Sequence, residues 1–157
     1  MKHTISVLVE NKFGVLARIA GLFSARGYNI ASLAVSETLD PQVSYMTIVV
    51  DAKDEKILEQ IKKQLNKLID VISVTDFTKK DHLDRELVIL KVNCSPKIKP
   101  KLQAAVKKCR GVLVNCKGNS AVVEGVGDQE QIKALLSALE GFGIKELVRT
   151  GRVAISY

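Results

Sequence analysis

Asn11 and Gly14 stand where an alternating apolar segment gives way to a helical period, in Glu10-Asn11-Lys12-Phe13-Gly14-Val15-Leu16. The start of a helix leaves backbone N–H groups without intrahelical partners and carries partial positive charge, so it can receive a carboxylate. Gly14 has no Cβ to hold a ligand off the backbone, and the Asn11 amide both donates and accepts hydrogen bonds. The same residues also suit structural duty, Asn11 as a helix cap and Gly14 as a turn residue, and spacing alone does not separate the two. At the other end of that helix, Gly27-Tyr28-Asn29-Ile30 leads into a strand. Within one chain Asn29 reads as a turn residue; across a dimer it can face the other chain's loop.

No catalytic constellation emerges from the remaining reactive residues. His3 falls in a first strand and His82 in a linker, no Ser-His-Asp arrangement can be argued, and most Asp and Glu lie on helix faces beside Lys. Gly125-Val126-Gly127-Asp128 is too short for a dinucleotide fingerprint and reads as a strand-to-helix turn. Cys94, Cys109 and Cys116 are odd in number, with no C-x-x-C pair, so they read as buried free thiols rather than disulfides or metal ligands. Lys97, Lys99, Lys101, Lys107, Lys108 and Arg110 crowd on or just before one helix. They form either a solvated cationic face or an electrostatic dock for an acidic protein surface.

The elements that must position these residues follow from hydrophobic period. Ile5, Val7 and Val9 alternate in a strand over residues 3–10; Val15, Leu16, Ile19, Leu22 and Phe23 share one face of a helix that ends near Arg26-Gly27. Residues 30–37 and 44–51 read as a hairpin around Asp40-Pro41. A second helix from about Asp54 carries Ile57, Leu58, Ile61, Leu65 and Leu68, and residues 71–78 form a last strand. After polar Lys79-Lys80-Asp81-His82 the order repeats. A strand spans 85–93, and a helix has Pro100 in its first turn and stops at Gly111. Strands at 112–116 and 121–126 flank Lys117-Gly118-Asn119-Ser120, a helix opens at Asp128 with Gln131 in capping-box spacing, and one or two short strands occupy 144–155.

Two βαββαβ units in 157 residues predict an α+β protein of two ferredoxin-like domains, 1–78 and 84–157, joined by a linker at 79–83. The net charge of +7 resides wholly in the second half: residues 1–78 hold nine basic and nine acidic side chains, residues 79–157 fifteen and eight. Different partners for the two domains would follow. No segment approaches the roughly 18 apolar residues of a membrane span, and the first residues run straight into a strand without a secretory pattern, which points to a cytoplasmic chain off the membrane.

Asn11-x-x-Gly14-Val15-Leu16-x-Arg18-x-x-x-Leu22-Phe23-x-x-Arg26-Gly27-Tyr28-Asn29-Ile30 resembles the opening of the ACT domain of acetolactate synthase regulatory subunits. The likeness continues through Asp40-Pro41, Met46-Thr47-Ile48 and residues 57–71, and more loosely to the end of the second domain. It implies a non-catalytic regulatory chain that activates a catalytic large subunit and confers feedback inhibition by valine in branched-chain amino acid biosynthesis. It also implies a homodimer through the ACT domains, with valine bound between two of them at Asn11, Gly14 and Asn29 and at the backbone of Val15, Leu16 and Ile30. The resemblance places thiamine diphosphate, magnesium and FAD in the catalytic partner and no cofactor or metal in this chain.

Three other functions share parts of this pattern. An ACT-type sensor can serve another partner, such as a transcription regulator, but the sequence holds no helix-turn-helix. An RNA-recognition module shares the element order yet stacks bases on sheet aromatics, and only 4% of residues here are aromatic, so nucleic acid is not expected as a partner. A small ferredoxin-like hydrolase would need an anion-clamping Arg and a water-positioning Asn together, which nothing here nominates.

Overall fold

A computed structural model describes residues 2–52, 55–78 and 80–157. The chain divides into two compact units, Met1–Leu83 with Arg152–Tyr157, and Asp84–Gly151. By compactness the last six residues group with the first unit. The expected helix start at Asp54 and linker residue Lys79 lie outside the described residues.

In the first unit the order is β1 (Lys2–Glu10), α1 (Val15–Ser24), β2 (Asn29–Glu37), β3 (Val43–Asp51), α2 (Glu55–Leu65) and β4 (Val71–Asp76). The strands lie in the order β2-β3-β1-β4, each neighbouring pair antiparallel, so β2 and β4 are the edges. Ile5, Val7 and Val9 of β1 and Met46, Ile48 and Val50 of β3 meet Ile19, Leu22 and Phe23 of α1 and Leu58, Ile61 and Leu65 of α2 in one core. Complete burial of a side chain such as Phe23 or Ile61 contributes about 1.5–3 kcal/mol. Leu16 departs from the expected stripe: it stays 43% exposed at the margin of the helix's buried face.

The other face of the sheet is unusual in carrying hydroxyls that are buried. Thr4, Ser6 and Thr47 retain 6%, 4% and 1% of their exposure. The C-terminal segment, with β9 at Val153–Ser156, accounts for part of this: the Ala154 amide donates to Thr47 Oγ1 (3.3 Å) and Tyr45 donates its hydroxyl to the Ala154 carbonyl (2.7 Å).

The second unit repeats the pattern with β5 (His82–Asn93), α3 (Lys99–Lys108), β6 (Val112–Lys117), β7 (Ser120–Gly127), α4 (Gln129–Glu140) and β8 (Ile144–Arg149), its strands ordered β6-β7-β5-β8, and β9 also pairs with β5. β5 therefore takes in His82, which the sequence had suggested for the linker. Val88, Leu90, Val92, Leu102, Val106, Val123, Ile132, Leu135 and Leu139 form its core. The capping box at α4 is present in both halves, Gln131 N–H to Asp128 Oδ1 at 2.8 Å and Asp128 N–H to Gln131 Oε1 at 3.0 Å. Gly125 and Gly127 serve packing, since a Cβ on either would collide with Leu135 or Gln131 of α4.

α1 and α3 end alike. Tyr28 N–H reaches Phe23 O and Gly27 N–H reaches Ser24 O; Gly111 N–H reaches Val106 O and Arg110 N–H reaches Lys107 O. This closure needs a left-handed residue one position past the cap, normally glycine. Gly27 supplies it for α1 at φ 67°, but in α3 Arg110 carries it at φ 57°. The glycine that follows is reserved for packing: a Cβ on Gly111 would sit 3.1 Å from both Glu124 O and Val106 Cγ1. Because a side chain in the left-handed region is strained, Arg110→Gly should stabilise the fold by about 0.5–1 kcal/mol, read as a higher urea midpoint; Gly111→Ala should lower it.

Candidate functional site

The loop from Glu10 to Gly14 is tied to the turn of the β2–β3 hairpin. Asn11 N–H donates to Gln42 O (2.7 Å) and its side-chain Nδ2 to Pro41 O (2.9 Å). Its sequence-based role as a helix cap is not what the structure shows: Gly14 occupies the cap position of α1, at φ 81° and ψ −5°, with no side-chain hydrogen bond to the helix and no acidic residue in the first turn. Val15 N–H donates to Lys12 O (3.3 Å), and no side chain caps the amides that follow it. The Asn11 carbonyl oxygen keeps its capacity to accept, because only the amide nitrogen is engaged with the hairpin.

Beside this end lies a cavity of about 420 Å³ between the loop, α1 and the β2–β3 ladder. Val9, Val15, Leu16, Val35 and Met46 give it apolar walls, and Asn11, Ser36, Glu37 and Ser44 a polar rim. Lys12 pairs with Glu10 at 2.6 Å, and this hydrogen bond, with the carboxylate's charge, raises the lysine pKa above its ordinary value. One turn into α1, Arg18 reaches Asp70 at 2.8 Å; the carboxylate side chain is 10% exposed and the guanidinium 51%. The helix dipole favours an anion, the Lys12 and Arg18 cations being already paired with Glu10 and Asp70, while the walls favour a short aliphatic group. A small molecule with a carboxylate and a branched apolar side chain fits that chemistry.

The residues singled out in the sequence divide into two groups. Asn11, Val15 and Leu16 share the cavity and Gly14 heads the helix beside it. Asn29 and Ile30 do not join them: Asn29 lies opposite Asp51 of β3, whereas Glu10, just before Asn11, lies opposite Val43. Eight strand steps separate those two positions along β3, about 26 Å. Val35, Ser36, Glu37 and Ser44 were missed, since nothing local marks them and only strand register brings them to the loop.

Elsewhere the candidates take structural places. His3 is buried, with Nδ1 at 3.2 Å from Thr78 Oγ1, and His82 packs against Phe77 with ring centroids 4.9 Å apart. Cys94 is buried, while Cys109 and Cys116 are only partly so; the Cys94 and Cys116 sulfurs lie 3.8 Å apart, and burial, with the neighbouring thiol, raises the Cys94 pKa. Lys97, Lys99, Lys101, Lys107, Lys108 and Arg110 are all exposed and form no ion pair among the described residues. Among the described residues no group of three or more His, Cys, Asp or Glu could hold a metal, and no helix is long and apolar enough to cross a membrane.

Known proteins resemble this chain over nearly its whole length. Residues 5–73 match the family model of the AHAS small subunit-like ACT domain, and residues 85–157 that of the small subunit of acetolactate synthase. The chain is 45% identical to a probable acetolactate synthase small subunit from Archaeoglobus fulgidus, over 99% of this chain and 96% of that protein. It is also 45% identical to the acetolactate synthase small subunit of Mycolicibacterium smegmatis, over 98% of this chain and 90% of the other. The crystal structure of the small subunit from Thermotoga maritima superposes with a TM-score of 0.89 at 33% identity, covering 100% and 98% of the two chains.

Gly14 at φ 81° has room for a methyl, the nearest atom to an added Cβ being Arg18 Nη1 at 3.7 Å, so only backbone conformation opposes substitution there. Gly14→Ala should therefore lower the stability of the ligand-free protein by about 1 kcal/mol without unfolding it. An unchanged denaturation midpoint would show that the left-handed turn is not held.

Proposed function

The chain belongs to the family of acetolactate synthase small subunits, and on that footing we propose that it regulates a separate catalytic chain, activating it and making it sensitive to valine. The observation that carries this reading is the amide end of α1, without a side-chain cap, beside an apolar cavity of about 420 Å³. Valine's carboxylate would lie on the first free amides of α1, its isopropyl group against Val9, Val15, Leu16 and Val35, and its ammonium on the Asn11 side-chain oxygen.

A second copy of the chain would complete the site. β2 is a nine-residue edge strand whose outer hydrogen-bonding groups face no strand of its own sheet. If two copies pair antiparallel about a two-fold axis centred on Leu33, Asn29 of one falls opposite Glu37 of the other, at the rim of the other's cavity. Asn29 and Ile30, remote within one chain, would thereby join Asn11 and Gly14. The exposed Val35 on this edge would also be covered.

In this reading thiamine diphosphate, magnesium and FAD belong to the catalytic partner, and this chain acts only by binding and by changing its contacts with that partner. Lys97, Lys99, Lys101, Lys107, Lys108 and Arg110 offer an unneutralised cationic surface for an acidic patch of the large subunit, which would speed docking and make it salt-sensitive. Sedimentation should find at least a dimer; a strict monomer binding valine at full affinity would contradict the shared site.

Gly14→Asp brings a carboxylate to the place where the ligand's own should lie, and Asn29→His disturbs the residue supplied by the second copy. Each should abolish or strongly weaken valine inhibition of the reconstituted enzyme while leaving its activation largely intact. The measurement is turnover of pyruvate by catalytic subunit plus variant across a valine titration. Inhibition curves like wild type for both, with both variants folded and bound, would remove the site from these residues.

A further inference from the structure

Residues 35–37 of β2 are a wall with two sides. One side faces the cavity with Asn11, Val15 and Leu16; the other closes a second, mostly apolar groove of about 340 Å³ whose far wall is Val153 and Ile155 of the C-terminal segment. A single strand thus separates the candidate effector cavity from the end of the chain.

The C-terminal segment is held on the sheet by side chains from three strands. Ser32 Oγ of β2 accepts from the Arg152 amide (3.3 Å) and Thr47 Oγ1 of β3 from the Ala154 amide (3.3 Å); Tyr45 of β3 donates its hydroxyl to the Ala154 carbonyl (2.7 Å). The Arg152 guanidinium adds a bond to Thr4 Oγ1 of β1 (3.1 Å). Its apolar side chains contribute less, since Val153 is 48% and Ile155 61% exposed. β9 also pairs with β5, the strand that begins at His82, so the hydroxyls fix only how the segment lies on the sheet face; such a face contact can loosen without opening the core, and weakly held contacts are the ones that respond to a ligand.

We propose that residues 152–157 form a strap that carries occupancy of the α1 cavity, through residues 35–37 of β2, into the second unit with which they are continuous at Gly151. The inference rests on the effector reading given above. A ligand in the cavity stiffens residues 35–37, and the groove they share with Val153 and Ile155 then holds the strap more firmly. The strapped state is the one that inhibits, so the strap links effector binding to inhibition and leaves activation alone.

Two measurements on the intact protein test this. In wild type, hydrogen exchange of the Arg152 and Ala154 amides should slow at least threefold on saturation with valine. In Thr47→Val/Tyr45→Phe, which removes both hydroxyls holding Ala154 and nearly conserves volume, valine should bind the isolated protein within threefold of wild type. Activation of the catalytic subunit should persist, and maximal inhibition should fall by at least half; Ser32→Ala provides the same test should the double variant not fold. Bound valine without slower exchange, or full inhibition by a variant whose residues 152–157 exchange freely, overturns the strap. Absence of valine binding in wild type overturns the effector reading and the strap with it.

Discussion

β1 has almost no wet surface, and the first unit is arranged around that fact. Its backbone is paired on both edges, to β3 and to β4; Ile5, Val7 and Val9 are wholly buried under the helices, and Thr4 and Ser6 nearly so on the reverse. A strand so enclosed must have its neighbours in place before its backbone groups are satisfied. The split βαβ connection then forces β2 outside β3, because the position beside β1 is already taken. The edge strand is consequently the one that follows α1, and the β1–α1 loop opens over it. The place of the cavity and the free edge beside it are one consequence of a single buried strand.

Helices α1, α3 and α4 treat their first turns differently, and the contrast bears on function. α4 is closed by the reciprocal Asp128 and Gln131 bonds and has Glu130 in its first turn. α1 has neither a side-chain cap nor an acid, only Gly14. Glycine in place of a capping side chain costs only about a few tenths of a kcal/mol, and Asn11, three residues earlier, belongs to a residue type that could cap; it is turned instead to Pro41 of the hairpin. α3 is also without a side-chain cap, but Pro100 in its first turn removes one of the amides that would need satisfying. α1 joins an end without a side-chain cap to an apolar cavity lined by the hairpin strands.

Local chemistry was legible in the sequence wherever it was decided locally. Alternation in residues 3–10, the Val15, Ile19, Leu22 and Phe23 stripe, Asp128 with Gln131, and Gly27 closing α1 all correspond to elements of the structure. What escaped was set by partners distant in the chain. The wall formed by Val35, Ser36 and Glu37 depends on the register of β2 against β3, which includes a shift between Ile30 and Ser32 that no periodicity announces. The left-handed turn at Arg110 could not be foreseen because Gly111, the obvious residue for it, stands where a Cβ would crowd Glu124 and Val106. Residues 144–155 were read as one or two short strands; they form two, β8 and β9, both paired with β5, and β9 groups by compactness with the first unit.

That grouping explains an otherwise odd choice of residues. A sheet face covered by its own chain could be lined with Val and Ile, which would bury firmly but would tolerate several positions of the covering segment. Thr4, Ser32, Tyr45 and Thr47 offer hydroxyls, each of which meets one particular group of residues 152–154. A slip by one residue would leave the buried Thr47 hydroxyl and the Ala154 amide without these partners, a loss of about 1–3 kcal/mol for each buried group. Apolar coverage would give adhesion; hydroxyls give a single register. Each such bond contributes only about 1 kcal/mol net, so beside the pairing of β9 with β5 the hydroxyls add a specific but weak hold on the sheet face, one that events on the other side of β2 can shift.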